Sequence, residues 1–172
     1  MRRKVFRIQH GFDSMDGTQF ADFVANTLVP YVQQHYNVYT DTLHTAIVGA
    51  SLGGGESFYI AGEYPEVFGK GGALSPSFRT FESEVWDEYI GKKSFDDNSP
   101  FIYLYTGSDD NDVGPGVKEM YDRLIKMGYP EEKLAFHYNE NGAHGGIFWR
   151  GVFSEFLTAM VFRGVEPLQR IV

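Results

Sequence analysis

Short apolar runs recur along the chain at "HTAIVGA" (44–50), "KGGALS" (70–75), "PFIYLYTG" (100–107) and "KLAFHYNE" (133–140). Their brevity and their bounding turn-formers predict buried strands. The intervening segments have helical spacing: "FADFVANTLVPYVQQHY" (20–36), "LGGGESFYIAGEYP" (52–65), "GVKEMYDRLIKMGY" (116–129) and "IFWRGVFSEFLTAMVFRG" (147–164). In 116–129, Val117, Met120, Tyr121, Leu124 and Ile125 form one apolar stripe, and Gly128 and Pro130 stop the helix. Strand and helix alternate, which predicts an α/β fold with a mainly parallel sheet flanked by helices. Residues 76–99 mix Phe, Glu, Trp and Tyr with Ser and Asp and read as a less regular connection, either a pocket wall or a surface excursion. No repeat or internal boundary interrupts this pattern, so the expectation is a single domain over 1–172 with an irregular lead-in over 1–19.

Composition narrows the chemistry. The 172 residues are 42% hydrophobic and 22% charged, as in a globular domain with a substantial core. Fifteen Lys and Arg against 23 Asp and Glu give a net charge of -8, which argues against nucleic acid or an anionic membrane as the main partner. The absence of cysteine excludes a thiolate nucleophile and any Cys-ligated metal site. No apolar run is long enough to span a membrane, and "MRRKVFRIQHGF" lacks the apolar core of a signal peptide. The compartment stays open, with the cytoplasm as the default.

The glycine-rich stretch "HTAIVGASLGGGESF" (44–58) carries the strongest chemical signal. A phosphate loop starting at Gly49 would need Lys and Ser or Thr where Gly55 and Glu56 stand, and a dinucleotide loop would need glycine at Phe58. The pattern G-x-S-x-G is met by Gly49-Ala50-Ser51-Leu52-Gly53, between a predicted strand and a predicted helix. A nucleophile on so sharp a turn brings neighbouring backbone close, and glycine at both flanking positions is expected to remove the collision. The following helix directs free amides at a developing oxyanion, with the Leu52 N–H the expected donor.

A serine hydroxyl needs a base, and the base needs an orienting carboxylate. In this architecture both follow the serine, the acid first and the histidine second. His10, His35 and His44 precede Ser51, and His137 falls inside a predicted strand. His144, in the glycine-rich loop "NENGAHGGIFW", is the expected base. The carboxylate belongs in "TGSDDND" after the strand "FIYLY", where Asp109, Asp110 and Asp112 are all available. Phe78, Phe81, Trp86 and Trp149 are candidate acyl or aryl contacts, although ordinary core packing explains each equally well.

These segments resemble the Putative esterase branch of the α/β-hydrolases, which includes esterase D-like, enterochelin-esterase-like and feruloyl-esterase-like enzymes. The resemblance rests on "FADFVANTLVPYVQQHYNVYTD", "TAIVGASLGGGESFYIAGEYPEVFGKGGALSPSF", "GSDD" and "GAHGGIFWRGVFSEFL". It implies a serine esterase acting through an acyl-enzyme, with Ser51 as nucleophile, His144 as base, and no cofactor or metal. The family's acid stands three residues after the strand-end glycine, which from Gly107 selects Asp110, with Asp112 as fallback. The substrate implied is a small-molecule or saccharide-linked ester. The alternatives are a non-catalytic binding or assembly module, or an acyltransferase using the same residues.

The N-terminus departs from the family pattern. Family members carry further strands before the nucleophile and a loop supplying a second oxyanion amide. Either "KVFRIQ" is a strand with His10-Gly11 as the remnant of that loop, or the early strands are lacking. The second reading is preferred because "GFDSMDGTQFADF" resembles the family's lead-in to the first helix. It leaves "TAIVG" with one open edge, so a homo-oligomer covering that edge is expected.

Overall fold

The computed structural model describes residues 15–80 and 83–162. Strands β1 (Ala46–Ala50), β2 (Lys70–Leu74), β3 (Phe101–Asp109) and β4 (Leu134–Ala143) form one sheet in the order β1-β2-β3-β4, with all neighbours parallel. Parallel neighbours need long crossovers, and helices supply them. Helix α1 covers Met15–Phe23, a π-helical turn at Val24–Leu28, and Val29–His35. It is followed by α2 (Leu52–Glu63), α3 (Ser83–Gly91), α4 (Gly114–Lys126) and α5 (Gly146–Phe162). The α/β architecture expected from the alternating pattern is the one observed.

Three local expectations are corrected. Residues 15–19 of the lead-in are helical, so α1 begins earlier than its apolar spacing suggested; residues 1–14, with His10-Gly11, lie outside the described residues. The wide turn in α1 precedes Pro30, whose ring crowds the carbonyl four residues back and which has no N–H to donate. The connection 76–99 holds a helix, α3, whose Val85, Trp86 and Ile90 are buried. Strands β3 and β4 also overrun their expected ends, running side by side to the Asp109–Ala143 pairing past an irregularity between Gly107 and Asp109.

The alternation of side chains along β3 divides the core. Ile102 and Leu104 join the larger cluster with Phe58 and Ile60 of α2, Trp86 and Ile90 of α3, and Val117, Met120 and Leu124 of α4. Phe101, Tyr103 and Tyr105 face the other way, against Val152, Phe156 and Met160 of α5. Burying side chains of this size is worth about 1.5–3 kcal/mol each, so both layers hold the sheet flat against its helices. Strand β2 is buried along its whole length. Among the described residues β1 pairs with β2 alone, and Val48 on it remains 44% exposed.

Candidate active site

Ser51, Leu52, Asp110 and His144 lie at the carboxyl ends of the strands. Ser51 follows β1 directly, Asp110 follows β3, and His144 follows β4. Strand order therefore brings together residues that are far apart in the chain.

Ser51 has φ 57° and ψ −124°, a positive φ that L-residues seldom adopt. Its carbonyl accepts the N–H groups of Gly54 (3.0 Å), Gly55 (3.2 Å) and Ser77 (3.0 Å), and its own N–H donates to the Leu74 carbonyl (2.9 Å). A serine preceding a helix ordinarily caps it with its hydroxyl. Ser51 makes no such bond, which leaves Oγ available. Leu52 is the first residue of α2, where backbone N–H groups have no partner within the helix.

The two flanking glycines differ in role. A Cβ on Gly49 would lie 2.1 Å from the Gly53 carbonyl oxygen and 2.7 Å from Ser57 Oγ. A Cβ on Gly53 would meet nothing within 4 Å, so the steric expectation is corrected at that position. The close approach is one-sided: Gly49 yields room to the backbone of Gly53.

His144 Nε2 stands 3.0 Å from Ser51 Oγ, and Nδ1 stands 3.0 Å from Asp110 Oδ1. The Asp110 side chain is 0% exposed and that of His144 36%. Asp110 is further tied by a 2.7 Å bond from the Gly114 N–H to its carbonyl and a long 3.5 Å contact from Thr106 Oγ1 to Oδ2. Asp109 and Asp112 are exposed, and the bond from His144 goes to Asp110. A buried carboxylate holding one imidazole nitrogen leaves the other to accept a proton from the hydroxyl.

The remaining histidines with described positions have other partners: His35 contacts the Tyr31 carbonyl, His44 contacts Asp41, and His137 contacts Glu155. Phe78 and Trp86 belong to the core, with Trp86 Nε1 donating to the Phe78 carbonyl at 2.8 Å. Phe81 lies outside the described residues. Trp149 packs edge-on against His144 at 5.1 Å between centroids and donates from Nε1 to Ser75 Oγ at 3.0 Å.

Sequence reasoning missed one residue beside Ser51. Ser77 Oγ stands 3.4 Å from Ser51 Oγ. The turn "SPS" after β2 carries no motif of its own, and only the parallel β1–β2 register brings it against the elbow.

Residues 12–114 match the family model described as Putative esterase. The chain belongs to this family. The protein YbbA of Bacillus subtilis (strain 168), described as uncharacterized, is 24% identical to this esterase-family chain over 136 residues, 74% of the chain and 53% of that protein. An endo-1,4-beta-xylanase/feruloyl esterase of Xylanibacter ruminicola is 26% identical over 132 residues, 77% of the chain and 16% of that protein. Among solved structures, the enterobactin esterase FES of Shigella flexneri superposes with a TM-score of 0.72 at 21% identity, covering 83% of this chain and 38% of that one. The family member thus spans about half the length of one curated relative and less of the other. The structural likeness establishes the shared α/β-hydrolase fold.

Proposed function

We propose that this protein is a serine esterase that cleaves carboxylic esters through an acyl-enzyme. The observation that carries the reading is the placement of His144 at 3.0 Å from both Ser51 and Asp110. Family membership and the esterase relatives support the same reaction class. Ser51 Oγ attacks the acyl carbon as its proton passes to His144 Nε2. The carbonyl π electrons move onto oxygen, where the Leu52 N–H donates to the oxyanion. Collapse expels the alcohol, protonated by His144, and leaves Ser51 acylated. Water then attacks the acyl carbon, giving its proton to His144, and the carboxylic acid leaves as Ser51 Oγ regains a proton. Asp110 keeps Nδ1–H in place and balances the imidazolium that forms in each half-reaction.

The substrate class is a small-molecule or saccharide-linked ester, and the chain acts as a single domain. In this reading the edge of β1 that is unpaired among the described residues is covered by a second copy. Hydrolysis of p-nitrophenyl acetate tests the chemistry. Ser51→Ala, His144→Ala and Asp110→Asn are expected to lower kcat by about 10⁴-fold or more. Equal turnover by wild type and Ser51→Ala would falsify the reading. Covalent labelling of Ser51 by a fluorophosphonate provides a check independent of the natural substrate.

A further inference from the structure

The hydroxyl of Ser77 faces the nucleophile, and the hydrogen-bond directions around Ser51 fix what it can do there. The Asp110 carboxylate accepts from Nδ1–H of His144. Nε2 therefore carries the lone pair, and the Ser51 hydroxyl must donate its single proton to it. Ser51 Oγ is left as an acceptor only. The Ser77 hydroxyl, 3.4 Å away, is then the donor of the pair.

The turn that carries Ser77 is held from several sides. Ser75 is fully buried with φ 45°, and its N–H donates to the Tyr105 carbonyl at 2.8 Å. Its hydroxyl accepts from Trp149 Nε1, while the Ser77 N–H donates to the Ser51 carbonyl at 3.0 Å. Gly54, in the first turn of α2, lets the turn come close: a Cβ there would lie 3.1 Å from Pro76 Cα and 3.2 Å from the Leu74 carbonyl oxygen. Backbone hydrogen bonds thus tie the elbow to the turn and bring the two serines side by side.

We infer that Ser77 is a further catalytic residue of the proposed esterase, donating a hydrogen bond to Ser51 Oγ as negative charge develops on it. The inference rests on the esterase reading of the preceding section. A separation of 3.4 Å exceeds the usual 2.7–2.8 Å for O–H···O, so the contact is weak in the resting state. It strengthens when Oγ loses its proton to His144 during attack, and again when Oγ leaves the acyl carbon in deacylation. An interaction stronger in the transition state than in the ground state raises kcat and leaves KM little changed.

The test compares wild type, Ser77→Ala and Ser77→Thr on p-nitrophenyl acetate, with fluorophosphonate labelling rates and circular dichroism alongside. Ser77→Ala is expected to lower kcat about tenfold or more with KM within about twofold, and to slow labelling in proportion. Ser77→Thr, which keeps the hydroxyl, is expected to recover most of the rate. Ser77→Ala with wild-type kcat overturns the inference, as does a natively folded Ser77→Thr no faster than Ser77→Ala. Failure of the esterase reading looks different: Ser51→Ala turns over as fast as wild type, whatever residue 77 is.

Discussion

At Ser51 the backbone adopts a conformation that costs on the order of 1–3 kcal/mol, and the serine also forgoes a helix cap worth about 1 kcal/mol. Four backbone hydrogen bonds to Ser51 and the approach of Gly53 to Gly49 hold it there. The two glycines of the elbow should therefore respond differently to substitution. Gly49→Ala places a methyl 2.1 Å from a backbone oxygen and is expected to destabilise the fold by several kcal/mol, beyond the roughly 1–3 kcal/mol typical of overpacked sites. Gly53→Ala meets open space and is expected to leave the melting temperature unchanged or raised, with a helix-propensity gain of at most about 1 kcal/mol. Thermal melts of the two variants decide the matter, and equal damage at both positions would refute the asymmetry. The sequence pattern located the turn between strand and helix at Ser51, because strand, glycine and helix are all local features. It could not separate the two glycines, since which one is crowded depends on how the chain folds back over itself. Ser77 was illegible for the same reason: 26 residues separate it from the serine it touches.

The elements show where periodicity sufficed. Every strand was found at its core residues, because short apolar runs between helices have few other uses. Helix α3 was missed because it spans nine residues, and aromatics such as Trp86 and Tyr89 pack as readily in strands as in helices. The extension of β4 through "NENGA" runs against residue propensity and is imposed by pairing with β3. Helix α2 carries a local conflict of its own. Glu56 is partly buried, its Oε1 is sealed from solvent with no hydrogen-bond partner among the described residues, and burial raises its pKa. The folded chain then holds a proton there that the unfolded chain releases. Stability accordingly falls as pH rises from the reference value of about 4.3 through the folded value, with the full penalty present above it. Glu56→Gln removes that penalty. Its melting temperature is expected to exceed that of wild type at pH 7.5, with the gap closing toward pH 4. A gap of the same size at both pH values would show that charge burial is not its cause.

At the scale of the molecule, β2 is buried throughout while β1 is partly exposed, so the two strands that cradle the elbow live in different environments. An apolar strand bonded on one side only offers N–H and C=O groups to another strand. Under the proposed self-association, light scattering at micromolar concentration should return at least twice the mass of the 172-residue chain, and Val48→Lys should shift it toward the monomer. A wild-type monomer under those conditions would rule the pairing out. The sequential strand order has a different consequence, for the timing of folding. Each β–α unit can dock on the one made before it, so the sheet grows without long-range threading. The hydroxyl belongs to the first unit, while its imidazole, 93 residues later, follows the last strand. A chain that has paired only three strands lacks the imidazole that stands beside Ser51 in the folded protein. Under the proposed esterase reading, reactivity at Ser51 is in this sense a clock that starts only when β4 docks.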